Sequence, residues 1–150
     1  MELYRGSRKK THTIKAQEVL PIDFSKFKGT IPTKAIWATQ YKDMAWVFGI
    51  FWQRMSIKIN TTYRNKNLVH EVQIVRELYP EELEEQVYLY TMDGSSFQCV
   101  GGRGSEWYSL EDQLDATVET RKIKDILNEL LSSNRIIITI NRTLETPNKK

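Results

Sequence analysis

Only two stretches of this chain carry helical periodicity, and that scarcity limits what it can fold into. Met44, Val47, Phe48, Phe51 and Trp52 recur at steps of three and one, which places apolar side chains along one face of a helix. Trp46 and Ile50 widen that face, so the helix is expected to be buried on most sides. Asp43 is acidic in its first turn, and the pattern runs from 41 to about Arg54. Ile123, Ile126, Leu127, Leu130 and Leu131 repeat the spacing, with Ser132-Ser133-Asn134 as the stop. The remaining apolar patterns are short and strand-like. They cover 1–4 (ended by Arg5-Gly6-Ser7), 35–38, 55–62, 68–75, 87–92 (stopped by Asp93-Gly94), 107–109, 116–123 and 135–140. Many short strands with two helices predict an α+β fold rather than an array of alternating strands and helices.

Between these elements the chain is polar. Residues 9–34 are broken by Pro21, Gly29 and Pro32 and read as loop with short extended pieces. Glu81-Glu82-Leu83-Glu84-Glu85 follows Pro80 and reads as one short helical turn with a solvated acidic face. Arg8-Lys9-Lys10 reads as a solvated turn, and 143–150 as a polar, fraying tail. No repeat or linker divides the 150 residues, which suit one domain spanning 1–150.

Composition removes several function classes. A net charge of +3 without a basic stripe does not indicate a dedicated nucleic-acid binder. Cys99 is the only cysteine, which excludes an intramolecular disulfide and a cysteine zinc cluster. His12 and His70 are far apart, neither lies in a metal-ligand motif, and no metal is expected. The chain opens on a strand-like run, and its longest apolar stretch, 45–52, falls short of a membrane span. A cytoplasmic protein without a membrane partner is therefore expected. Gly101-Gly102-Arg103-Gly104 is not a P-loop, because no Gly-Lys-Ser/Thr follows, and it opens no helix as a dinucleotide fingerprint would.

Three segments carry candidate chemistry. In Leu3-Tyr4-Arg5-Gly6-Ser7, glycine lets a ligand approach the backbone, and Arg5 offers a cation for a phosphate or ribose oxygen. The same residues also read as a strand ending in a Gly-Ser turn with a surface arginine. In Trp37-Ala38-Thr39-Gln40-Tyr41, a hydroxyl and an aromatic ring stand at a strand-to-helix corner. Thr39 equally suits a helix cap there, with Tyr41 packing beside it. Glu106 lies between the glycine-rich loop 101–104 and Trp107-Tyr108-Ser109. A fixed carboxylate there can stabilise positive charge developing on a sugar and can deprotonate a nucleophile. It equally suits an exposed strand start.

Taken together and in order, the segments resemble the motifs of ADP-ribosyltransferases. Leu3-Tyr4-Arg5-Gly6-Ser7 is similar to the first motif, and Trp37-Ala38-Thr39 with Tyr41, Ala45 and Phe48 to the second motif and its helix. Val87-Tyr88-Leu89-Tyr90, the glycine loop and Glu106-Trp107-Tyr108-Ser109 are similar to the last. In size and layout the small rifamycin-modifying enzymes compare best, and the toxin and poly(ADP-ribose)-polymerase branch shares the scheme.

The resemblance implies an ADP-ribosyltransferase-like split β-sandwich, two small antiparallel sheets with flanking helices and NAD in the cleft between them. It implies Glu106 as catalytic residue, and Arg5, Gly6, Ser7, Thr39, Tyr41, Phe48 and Arg103 as NAD-binding. Within that set Gly6 clamps the nicotinamide, Tyr41 stacks on it, and Arg103 touches phosphate or target. NAD is then a co-substrate, and the acceptor is a protein, a nucleic acid or a small molecule. The alternative is an inactive module of the same fold that binds NAD, an ADP-ribose-like nucleotide or a protein partner. The chain departs from the arginine-first branch in two places. Its second motif supplies only Thr39 of an expected Ser-Thr-Ser, and Gly104 stands where that branch often has an acid or glutamine. The abundance of Lys, Ile and Asn is compatible with a low-GC bacterial or phage source.

Overall fold

A computed structural model describes residues 1–18, 34–52, 54–99 and 106–144. In chain order its strands are β1 (Glu2–Ser7), β2 (Thr13–Lys15), β3 (Gln17–Glu18), β4 (Lys34–Ala38), β5 (Ile57–Arg64), β6 (Asn67–Ile74), β7 (Gln86–Asp93), β8 (Phe97–Cys99), β9 (Trp107–Ser109), β10 (Gln113–Asp115), β11 (Thr117–Lys122) and β12 (Ile136–Ile140). The helices are α1 (Lys42–Phe51), α2 (Pro80–Leu83) and α3 (Ile123–Ser132). This is a small α+β fold whose sheets are mostly antiparallel.

β7 organises the molecule. It pairs antiparallel with β1 on one edge and β11 on the other, giving the order β1-β7-β11. Side chains alternate across a strand, and here both faces are buried. Val87 and Leu89 enter one core with Ala45, Trp46, Val47, Ile50 and Phe51 of α1, Ile123, Ile126 and Leu130 of α3, and Val72 and Ile74 of β6. Tyr90 and Met92 enter a second core with Leu3, Ile14, Ile36 and Phe97. The breadth of the apolar face on α1 follows, because the helix is enclosed by two sheets and a second helix. Phe51 is 1% exposed, and truncating it to Ala would cost about 3–5 kcal/mol.

A second sheet has the order β3-β4-β9-β8. One isolated antiparallel bridge, Tyr4 to Thr39, joins it to β1. The β1 edge therefore continues, through a single residue pair, into the β4 edge. A third sheet has the order β12-β6-β5. Its β5–β6 hairpin turns on Asn65 and Lys66, with φ of 50° and 69°, the left-handed pair that a two-residue hairpin loop needs. Asn134, at φ 61°, reverses the chain after α3.

Several expectations are corrected. β1 does not stop at Tyr4 but runs through Arg5-Gly6-Ser7. Beyond the two small sheets there are a third sheet and a β2–β10 ribbon, and β12 pairs with β6 in parallel. A parallel pair needs a crossover, and no local sequence signal announces one. Arg8 is not solvated: its guanidinium donates to Ile50 O at 2.6 and 2.9 Å and pairs with Glu82 at 3.1 Å. Glu82, from the acidic run, is 4% exposed and accepts from Arg76 at 2.7 Å and from Tyr79 N–H at 2.9 Å. Among the described residues no helix is long and apolar enough to cross a membrane.

Candidate functional site

The site forms where β1 and β4 part. Tyr4 and Thr39 exchange both backbone hydrogen bonds, at 2.8 and 2.9 Å. Backbone polar groups alternate between the two edges of a strand, so the N–H and C=O of Gly6, two residues on, are directed to the same edge as those of Tyr4. By the same rule the groups of Trp37 are directed from β4 towards β1. The pairing nevertheless stops at Tyr4–Thr39, leaving a split between β1 and β4 beyond that pair. Arg5 reaches across it, donating from Nη1 to Trp37 O at 3.3 Å and from Nη2 to Gln17 Oε1 at 3.1 Å. Burial draws the Arg5 pKa below its ordinary value, with Tyr90 opposing the shift. The described partners of Arg5 are thus a carbonyl and an amide oxygen.

Gly6 is required by packing. A Cβ on it would lie 1.9 Å from Ala45 O, and one on Gly49 would lie 2.8 Å from Ser7 N and from Val87 Cγ2. This corrects the reason for expecting glycine here: the face without a side chain is filled by α1, while the backbone edge faces the split. The Ser7 hydroxyl accepts from Lys9 N–H at 3.0 Å and shapes the following turn, and its own O–H remains a donor. Phe48 sits roughly 60° round α1 from Ala45. Val87 meets Gly49 on the other flank, and Trp46 and Ile50 are buried on that side. Phe48 is half-buried, edge-on to Trp52 with centroids 5.8 Å apart.

Thr39 is buried, and its hydroxyl accepts from Tyr41 N–H at 3.1 Å and faces Met44 Sδ at 3.8 Å. Its side chain thus shapes the corner. Tyr41 is the N-cap residue of α1 but makes no side-chain cap. Its ring packs on His70 of β6, centroids 5.2 Å apart at 56°. His70 is 3% exposed and shares a 2.8 Å hydrogen bond between Nδ1 and Thr61 Oγ1. Burial lowers its pKa below the ordinary histidine value, Asp43 opposes this, and Arg135 adds to it.

Glu106 is exposed and immediately precedes β9. Trp107 pairs with Ala38, so one further step of that register sets Glu106 opposite Thr39. Trp37 and Tyr108, the neighbouring pair of that ladder, bring their rings together with centroids 5.6 Å apart. Trp107 Nε1 donates to Gln40 Oε1 at 3.3 Å, fixing the start of β9 to the same corner.

The three sequence segments accordingly meet on neighbouring strands β1, β4 and β9. Gly6 and Thr39 lie on the face of their strands that α1 covers, and Glu106 stands just before β9. Arg5 shares the opposite face of β1 with Leu3 and reaches the split only by its guanidinium, while Tyr41 is turned to His70. Arg103 lies outside the described residues. Sequence reasoning named Trp37 and Tyr108 within their segments but not their contact, and gave no place at this corner to Gln17 or His70. Strand parity pairs Trp37 with Tyr108 once the register is known, but nothing local links His70 to Tyr41.

No protein-family model, curated protein or solved structure matches the chain. Among the described residues no cluster of His, Cys, Asp and Glu is arranged to hold a metal ion.

Proposed function

We propose that the protein is an NAD-dependent ADP-ribosyltransferase, with the β1–β4 split as its nicotinamide end and Glu106 as its catalytic residue. The observation that carries this reading is the convergence of the three motif-like segments on adjacent strands around one bridge, Tyr4–Thr39. Two features support NAD as the ligand. The backbone of Gly6 offers a donor and an acceptor together, which is what a carboxamide requires. Arg5 is a partly desolvated cation held by neutral acceptors, a receptor suited to phosphate.

NAD supplies a glycosidic bond that releases nicotinamide when it breaks. The Glu106 carboxylate opposes the positive charge that develops on the ribose, and more strongly in the transition state than before it. The acceptor's lone pair forms the new bond to the ribose as the nicotinamide nitrogen takes the old bonding pair. The acceptor proton passes to Glu106 or to solvent. A β1 held rigid against α1 by the Gly6–Gly49 contact keeps the clamp in place without reorganisation.

Incubation of the protein with NAD labelled on the adenylate and a cell lysate tests this. Label should appear in protein, nucleic acid or a small molecule, with stoichiometric nicotinamide release, and Glu106→Gln should lower the rate by about 100-fold or more. Full turnover by Glu106→Gln would remove Glu106 from the mechanism. NAD binding without nicotinamide release would leave a nucleotide-binding module.

A further inference from the structure

β12 is an outer strand with an unguarded edge. It pairs in parallel with β6, and of the described strands β6 alone lies beside it. Arg135 O accepts from His70 N–H at 2.8 Å, and Asn141 N–H donates to Ile74 O at 2.7 Å. The N–H and C=O of one strand residue share an edge, and successive residues alternate between edges. Residues 135, 137, 139 and 141 are therefore directed to β6, and Ile136, Ile138 and Ile140 away from it. Side chains alternate as well. Ile136, Ile138 and Ile140 pack against the core that α1 and α3 share, whereas Ile137 and Thr139 stand exposed on the outer face. Between Ile136 and Ile140 there is no charge and no proline. Outer strands are ordinarily guarded by charge or by brevity. β5 carries Lys58 and Arg64, β11 carries Glu119, Arg121 and Lys122, and β8 is three residues long. β12 has neither guard.

We propose that the β12 edge is a homodimer interface, which takes β12 of a second copy in antiparallel register about a two-fold axis through Ile138. A second copy fits because the strand is symmetric in the groups it offers. Its outward-directed residues, 136, 138 and 140, are evenly placed about Ile138. A two-fold axis there sets Ile136 opposite Ile140 of the second copy, and Ile138 opposite its own counterpart. Such pairs exchange both hydrogen bonds in an antiparallel ladder, so every outward N–H and C=O of the three residues gains a partner. The flanking charges agree with this register. Arg135, already paired with Asp43 at 3.4 Å, falls opposite Asn141, and Arg142 falls opposite Asn134. No like charges then face each other across the axis. On the inner face isoleucine meets isoleucine, which continues the half-buried flank of the core at Ile138 and Ile140 into the second copy. Two three-stranded sheets become one, through an isologous contact. A five-residue ladder buries less than the roughly 800 Å² per partner of a standard interface. The dimer is accordingly a dissociating one, with a Kd between about 10 μM and 1 mM.

Light scattering by the full chain tests the association, and amide hydrogen exchange tests its place. Over that concentration range the mass should rise from 17.7 kDa towards twice that value. Exchange at the Ile138 and Ile140 amides should slow by about tenfold or more as the dimer fills, while the Ile137 and Thr139 amides, already directed to β6, stay unchanged. Ile137→Lys combined with Thr139→Lys puts lysines at two exposed positions that the register sets opposite each other across the axis. Like charges so placed repel, and dimerisation should weaken by about 100-fold with the monomer still folded. Ile138→Pro removes an N–H that the dimer uses and the β6 ladder does not, and should also leave a monomer. If that variant fails to fold, the lysine pair still decides. A native chain that keeps its monomer mass up to about 1 mM overturns the proposal. So does a dimer that survives the lysine pair, or one in which exchange at Ile138 and Ile140 is indifferent to concentration.

Discussion

Arg5 and Arg8 stand three residues apart, yet the protein treats their charges in opposite ways. Arg8 is clamped by Ile50 O at the end of α1 and by Glu82 and Glu85 beside α2. Its charge is neutralised within the fold, and its fork joins a helix terminus to an acidic turn. Arg5 is also drawn out of water, but its described partners are a carbonyl and an amide oxygen. A cation held by neutral acceptors is less well compensated than one in an ion pair, and such groups cluster where a ligand brings an anion. Of the two, Arg8 is structural and Arg5 is the candidate anion receptor.

That contrast can be broken by experiment, most severely at Arg8. Arg8→Ala leaves buried Glu82 with Arg76 as its remaining ion-pair partner and removes both side-chain donors to Ile50 O, and should cost about 2–4 kcal/mol in urea unfolding, with unchanged NAD affinity in the fraction that folds. A stability loss under about 1 kcal/mol would show the clamp to be decorative. The next effect is one of pH. Burial pushes the Glu82 carboxyl up, but the Arg76 hydrogen bond, Tyr79 N–H and the charges of Arg76 and Arg8 outweigh it and hold the pKa at about 2. A carboxyl depressed in the folded state stabilises it above the unfolded pKa and loses that contribution as pH falls. On the order of 2–3 kcal/mol should therefore disappear between about pH 5 and pH 2, and Glu82→Gln should remove that part of the slope.

Arg5→Ala should do the reverse of Arg8→Ala. Unfolding free energy should stay within about 1 kcal/mol of the native value, because a poorly compensated charge is removed with its contacts. NAD affinity should fall by about 10- to 100-fold, the worth of a charge-assisted hydrogen bond to phosphate. Unaltered affinity would make Arg5 another structural arginine. The smallest expected effect is at Gln17, whose amide oxygen steadies Arg5 from β3. Gln17→Ala should weaken NAD by about threefold or less, a neutral hydrogen bond's share.

How far these differences can be read from sequence depends on how local their causes are. α1 and α3 declared themselves because burial imprints its period on the residues themselves, and β7 because both its faces are apolar. The passage of β1 through Gly6 was hidden, since Arg-Gly-Ser has the composition of a turn and only the approach of Ala45 and Gly49 explains a glycine inside a strand. Arg8 and Glu82 looked solvated because each lies in a run of like charge. Their mutual pairing spans more than seventy positions and leaves no local trace. The same holds for His70 beneath Tyr41. The segments around Arg5, Thr39 and Glu106 stand out in the sequence by residue type, and the placing of β1, β4 and β9 side by side is what folding adds.

The most direct test is amide NMR of the native protein during an NAD titration. If the split between β1 and β4 receives the nicotinamide, the amides of Gly6 and Trp37 should shift most, in step with saturation, while those of Arg8 and Leu83 at the ion-pair clamp stay in place. NAD binding that leaves Gly6 and Trp37 unmoved, or no binding at all, would contradict the account.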